Sequence, residues 1–300
     1  MENLIVEGSG RSILVLHGGM GDLSSWEKVT DRLRERFRVA RLYRPQYRLD
    51  VPRKVTMADE VVEVLAAAAT LDRPVLVGHS SGAVLALEAL VASPELFSAA
   101  ALYEPPLLIS DQRLGDGTQS ESGSAQTDLA GGAEPGRAEP GGAQSDRAQS
   151  DSARPDGGGV SRAGGGRPVD RARAALADGR PGTAFVIFLR EIAGLRDPMF
   201  DAAEAAINQR TEIAPVVERQ LDDNDAIDAL GNRLAAYSKI DLPVLLITGD
   251  QSPRHLQERL SALEAVLPDA RRATLPGEGH NAERSAPERL AEVVGQFAAG

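Results

Sequence analysis

No cysteine occurs among the 300 residues. Disulfides, thiol catalysis and thiolate metal sites are excluded with it. Aromatic residues are scarce at 4%, although hydrophobic residues reach 42%. A core must therefore be built from Leu, Val, Ile and Ala. Basic residues number 33 against 44 acidic ones, a formal net charge of −11. The isoelectric point lies near 5.0. This balance argues against nucleic acid or an anionic membrane as a partner, either of which would need a basic face, and a small-molecule substrate is expected. No apolar run approaches the roughly 18 residues of a membrane span. The start, Met1-Glu2-Asn3-Leu4-Ile5-Val6-Glu7, has neither a basic region nor a long apolar one, so it does not read as a signal peptide. Together these absences point to a soluble cytoplasmic protein.

What is present is an alternation of strand and helix patterns. The length allows one large α/β domain with an insertion, or two small domains. Strands are expected at Leu4–Val6, Ser12–Leu16, Phe37–Tyr43, Val75–Val77 and Ala99–Tyr103, with helices at Ser24–Arg36, Thr56–Ala69 and Ser81–Ser93 between them. Ser24 and Glu27 stand at capping-box spacing, and Thr56 is the expected N-cap of its helix. From about Asp111 to Arg167 the composition changes to Gly, Ala, Ser, Asp, Gln, Arg and Pro. Such a stretch has too little apolar surface to offset its ordering entropy, so a disordered insert is expected. Helical patterns follow at Val169–Ala177, Ala184–Ala193, Met199–Arg210 and Ile213–Leu221, with no strand signal. The strand pattern resumes at Pro243–Thr248 and Ala270–Leu275, with helices expected at His255–Leu267 and Ser285–Ala299. Ser285 and Glu288 again have capping-box spacing. Continuous apolar strands separated by helices predict a mainly parallel sheet covered on both faces.

The chemistry centres on Val75-Leu76-Val77-Gly78-His79-Ser80-Ser81-Gly82, followed at once by an apolar helical pattern. This is G-x-S-x-G between a strand and a helix, the setting in which a serine is lifted out of the sheet as a nucleophile. The helix that starts there offers unpaired N–H groups and a positive end to a developing oxyanion. Three further loops fall at strand ends, where parallel α/β sheets form their sites. His17-Gly18-Gly19-Met20 brings backbone N–H groups close, and Gly19 and Ser81 are the candidate oxyanion donors. Gly277-Glu278-Gly279-His280 supplies the base, because His280 alone among four histidines follows both nucleophile and acid in chain order. His17 and His79 read as structural members of their turns, and His255 as a solvated first-turn residue. A carboxylate is needed to orient the histidine. Two strand ends offer one, as Asp250 and Glu104.

With these residues in this order, the chain resembles the α/β-hydrolase superfamily, in its small serine esterase and lactonase-like branch. The likeness covers about 1–110 and 235–300, which form the expected hydrolase core. It rests on His17-Gly18-Gly19, Gly78-His79-Ser80-Ser81-Gly82, Gly249-Asp250 and Gly279-His280. The resemblance implies an α/β-hydrolase fold with a helical cap inserted after the family's sixth strand, a position that residues 168–234 occupy, while 111–167 form the low-complexity insert. The family places its acid after its seventh strand as Gly-x-x-Asp, but Gly249-Asp250-Gln251-Ser252 puts Ser252 there. Part of the superfamily carries the acid after the sixth strand, where Glu104 stands before the rigid Pro105-Pro106. Glu104 is therefore the favoured acid and Asp250 the alternative. Where relatives carry Arg-Gly-x-Gly, this chain has Tyr43-Arg44-Pro45-Gln46-Tyr47-Arg48, without the glycines.

The resulting expectation is a cofactor-free, metal-free serine hydrolase cleaving a small ester, lactone or related acyl compound through an acyl-enzyme on Ser80. A serine nucleophile argues against a dehalogenase or epoxide hydrolase, which need aspartate there. The rivals are C–C hydrolysis, acyl transfer or perhydrolysis on the same triad, and a non-catalytic small-molecule binding protein.

Overall fold

The computed structural model describes residues 3–52, 54–109, 167–195 and 199–300, apart from the Thr211 side chain. The expected low-complexity insert falls, except for Arg167, outside the described residues. Seven strands form one sheet: β1 (Leu4–Glu7), β2 (Ser12–Leu16), β3 (Arg38–Leu42), β4 (Val75–His79), β5 (Ala99–Tyr103), β6 (Val244–Gly249) and β7 (Ala270–Leu275). Their order is β1-β3-β2-β4-β5-β6-β7. Only β1 runs antiparallel, pairing Leu4 with Leu42. Every residue of β2, β4, β5 and β6 is buried, which their unbroken apolar runs require.

Helices cover both faces. On one lie α1 (Glu27–Leu33) and, at the far end of the chain, Pro287–Ala299. They bury Trp26, Val29, Leu33, Leu290 and Val294 against β2, β4 and β5. On the other face lie α2 (Met57–Ala68), α3 (Ser81–Ala92) and the helix Arg254–Glu264. Helix α3 carries a single charge, Glu88, and buries ten of its twelve residues, so it has no solvated side. Between β5 and β6 the chain adds α4 (Pro168–Ala177), α5 (Pro181–Ile187), α6 (Phe200–Asn208), α7 (Ala214–Leu230) and α8 (Leu234–Tyr237). The remaining helices are α9 (Arg254–Glu264), α10 (Ala282–Ser285) and α11 (Pro287–Ala299). Helix α7 packs against α3 and against the short helical turn Pro45–Tyr47. Among the described residues, no helix is long and apolar enough to cross a membrane.

Several helix boundaries differ from expectation. Helix α1 begins at Glu27, with no side-chain cap from Ser24. Ser24 instead gives its N–H and hydroxyl to Asp22 Oδ1, at 2.8 and 2.6 Å, and this local turn displaces the capping box. Ser285 likewise ends α10, donating to Glu278 at 2.6 Å, while Pro287 opens α11. Thr56 is the N-cap as expected, and Asp59 completes a capping box with it. The helix expected at Ala184–Ala193 is α5 followed by a π-helical turn, Phe188–Ile192. Helix α7 runs nine residues beyond the expected Leu221.

Strand order decides where a site can form. From β2 the chain steps outward to β3, then crosses back to place β4 on the other side of β2. That reversal opens a crevice at the carboxyl ends of β2 and β4. The residues there are His17-Gly18-Gly19 and Ser80.

Candidate active site

Ser80 sits at φ 52 and ψ −125, a backbone conformation that non-glycine residues avoid. The surroundings enforce it. Its N–H donates to Tyr103 O at 2.8 Å, and α3 starts at the next residue. The turn is tight: a Cβ on Gly78 would stand 2.6 Å from Gly82 O, and one on Gly82 would stand 2.4 Å from His17 O. Larger residues at either position would push the helix off the strand.

Ser80 Oγ lies 3.0 Å from His280 Nε2, and His280 Nδ1 lies 2.7 Å from Glu104 Oε2. With the carboxylate fixing the proton on Nδ1, Nε2 is left to accept the serine hydrogen. Glu104 is fully buried. Its other oxygen accepts from Thr248 Oγ1 at 2.7 Å and from Gly249 N–H at 3.0 Å. Burial alone would raise its pKa. The hydrogen bond and charge of His280, with neighbouring hydroxyls, outweigh burial and hold the carboxyl below its ordinary range. Glu104 also has positive φ, at 46°. Met20 is a third such residue, in the loop after Gly19, so three of the four described non-glycine residues with positive φ border this site. Strain of this kind, about 1–3 kcal/mol per residue, persists only where packing over-determines it.

Asp250 lies elsewhere. It is exposed, and its carboxylate accepts from Gly277 N–H at 2.8 Å and from Gln251 at 3.1 Å. The structure brings Glu104 to His280 and leaves Asp250 bracing the start of the His280 loop. Ser252, where the family pattern places a carboxylate, is buried.

Two residues holding His280 escaped the sequence reading of the site. Register sets His79 beside Tyr103 at the ends of β4 and β5. His79 Nε2 meets His280 O at 2.8 Å, and its ring packs 4.9 Å from that of His280. Tyr103 donates its hydroxyl to Gly279 O and accepts from Ala282 N–H at 3.3 Å. The available signal was adjacency: His79 precedes Ser80, and Tyr103 precedes Glu104. Burial lowers the pKa of His79, keeping it neutral.

The His17-Gly18-Gly19 loop borders the serine, since a Cβ on Gly18 would stand 3.2 Å from Ser80 Cβ. Gly19 N–H and Ser81 N–H have no hydrogen-bond acceptor among the described residues. His17 is buried, with Nδ1 2.8 Å from Gly18 O and Nε2 accepting from Arg44 N–H at 3.2 Å. Burial, then the Arg44 charge, lowers its pKa to about 3, so it stays neutral. His255 is not the solvated residue expected. Its Nε2 is buried without a partner, a Cβ on Gly194 would stand 2.5 Å from its ring, and burial lowers its pKa to about 4.

Chemically, the arrangement pairs a hydroxyl with an imidazole whose far nitrogen is tied to a buried carboxylate, beside two unpaired N–H groups. That is the geometry of an activated nucleophile. Comparison with known proteins agrees on the fold. Structures similar to this chain include an alpha/beta hydrolase from Sphaerobacter thermophilus DSM 20745, 22% identical with TM-score 0.63, covering 98% of this chain and 95% of the other. An esterase from Exiguobacterium antarcticum is 16% identical with TM-score 0.63, over 99% and 95% of the two chains. The enol-lactonase from Burkholderia xenovorans LB400 is 16% identical with TM-score 0.66, over 99% and 96%. Among curated proteins, no match to the sequence is found. The sequence pattern of the alpha/beta hydrolase family matches residues 13–293, nearly the whole sheet and its insertion, and the chain belongs to that family.

Proposed function

We propose that the protein is a cofactor-free serine hydrolase that cleaves a small ester, lactone or related acyl compound. The observation that carries this reading is the continuous chain from Ser80 through His280 to buried Glu104, at 3.0 and 2.7 Å. Ser80 Oγ attacks the substrate carbonyl while His280 Nε2 takes its proton. The oxyanion that forms is held by Gly19 and Ser81 N–H. When the tetrahedral species collapses, His280 returns the proton to the leaving oxygen and the acyl group stays on Ser80. Water, deprotonated by the same imidazole, then releases the acid. Glu104 keeps the imidazole in the required tautomer and stabilises its cation. Helices α4–α7 act as the cap that shapes the acyl and leaving-group pockets. The similarity to an esterase and an enol-lactonase supports the acyl substrate class.

A fluorophosphonate probe tests the reading. The folded wild type should label stoichiometrically, and Ser80→Ala should not label. Ser80→Ala and His280→Ala should each lower kcat on a short p-nitrophenyl ester by about 10⁴–10⁶. A folded wild type that neither labels nor turns over esters or lactones would overturn it.

A further inference from the structure

Arg44 is fully buried, a rare situation for a cation. All five of its guanidinium N–H groups are used. Nε donates to Glu60 Oε1 at 3.0 Å and Nη2 to Glu60 Oε2 at 2.7 Å. Nη2 also donates to Asp223 Oδ1 at 3.0 Å. Nη1 donates to Ser81 Oγ at 2.7 Å and to His17 O at 3.3 Å. Its backbone N–H meanwhile holds His17 Nε2. One side chain therefore grips the loop that carries Gly19, the residue that carries the other unpaired N–H, and helix α7.

The α7 end of this arrangement is equally specific. Tyr47 Oη donates to Asp223 Oδ2 at 2.6 Å and lies 3.0 Å from the Gln220 amide. Gln220 in turn bonds Asn224 at 3.0 Å. Its amide rests on the open face of Gly19, where a Cβ would stand only 2.0 Å from Gln220 Oε1. All of these side chains are buried. The turn Pro45–Tyr47 places Arg44 and Tyr47 on this one target.

We propose that Arg44 is a positioning residue that couples the seating of cap helix α7, through Asp223, to the spacing of the two oxyanion donors at Gly19 and Ser81. The inference rests on the serine-hydrolase reading for its kinetic consequence, but the coupling itself has a separate readout. A fork is required: lysine retains the charge but cannot reach Glu60, Asp223, Ser81 and His17 together. A displacement of a donor by about 1 Å is enough to cost about 10²-fold in rate.

The test uses the full chain and the variants Arg44→Lys, Asp223→Asn and Ser81→Ala, the last removing only the hydroxyl and keeping the N–H. Active sites are counted by fluorophosphonate titration, so that kcat on p-nitrophenyl butyrate is expressed per competent Ser80. Arg44→Lys should lower this kcat about 10²-fold with KM within about threefold, and should weaken an alkyl trifluoromethyl ketone, which forms a tetrahedral adduct on serine, by a similar factor. Ser81→Ala should lose about tenfold in the same two quantities, which keeps the proposal testable if Arg44→Lys does not fold. Hydrogen exchange should quicken in Asp223→Asn at 214–230 and also at Gly18–Met20 and Ser81. Unchanged kcat per site and ketone affinity in the folded variants would overturn the proposal. So would faster exchange confined to α7. If the wild type neither labels nor turns over, the hydrolase reading fails, and the exchange pattern alone decides the coupling.

Discussion

At the scale of the residue, the site depends on who satisfies Glu104. Its carboxylate faces three donors, from His280, Thr248 and Gly249, and solvent reaches none of it. Glu104→Gln keeps the shape but offers an amide N–H where an acceptor is needed. The wrong histidine tautomer follows, and kcat should fall by about 10³–10⁴ with KM little changed, since the change acts on the transition state. Asp250→Asn removes charge from an exposed turn 2.8 Å from Gly277 N–H, and kcat should stay within about threefold. Steady-state rates for the two variants on one ester separate the two carboxylates; a larger loss from Asp250→Asn would show that the acid is misassigned. The sequence made Ser80, His280 and a choice of two acids legible, because each ends a strand or lies in a glycine-framed loop. It did not reveal the supports. Thr248 and Gly249 belong to an ordinary apolar strand, and His79 acts through a carbonyl 201 residues away.

At the scale of the element, the α2 N-terminus is the clearest case of local chemistry determining structure. Thr56 Oγ1 accepts from Asp59 N–H at 3.2 Å, and Asp59 accepts from Thr56 N–H at 3.0 Å. Thr56→Ala should cost about 1 kcal/mol, a fall in Tm of about 2–4 °C, and Thr56→Ser should recover most of it. Thermal melts of the two variants check this; equal losses would mean that the cap contributes nothing and the methyl group does. The same spacing at Ser24 and Ser285 misled, because spacing does not show which acceptor is closer. Asp22 and Glu278 captured those hydroxyls instead. Helix α7 was missed past Leu221 for a different reason. Its second half, Asp222-Asp223-Asn224-Asp225-Ala226-Ile227-Asp228, reads as a loop by composition. The acids are helical because partners from elsewhere neutralise them: Arg173 bonds Asp222 and Asp225 at 2.9 and 2.6 Å, and Arg44 bonds Asp223. Such long-range pairs leave no local periodicity to read.

At the scale of the whole molecule, the mainly parallel sheet was legible from unbroken apolar strands, but its strand order and the way the interior stores charge were not. Burial keeps three histidines neutral. His17 is lowered to about 3 and His255 to about 4, and His79 is lowered as well. The unfolded chain takes up a proton at each near pH 6.5, while the folded chain refuses it. The unfolded state therefore binds more protons below pH 6.5, and stability must fall as pH falls. For His17 the loss begins near 6.5 and is complete near 3, the window set by its two pKa values. Over that window it amounts to on the order of 5 kcal/mol, the full linkage value for a group buried from solvent. Unfolding at pH 5 should then take up as many as about three protons from these histidines, beyond any taken up by carboxylates. His17→Asn removes one titrating group and keeps an N–H for Gly18 O. Its Tm at pH 8 should be lower than that of the wild type, through lost packing. Its Tm should also fall less steeply between pH 6.5 and 4, by a slope corresponding to about one proton. Calorimetric melts across this range provide the comparison. An unchanged slope would mean that His17 is protonated in the folded state, and would remove the neutral acceptor that holds Arg44 N–H beside the nucleophile.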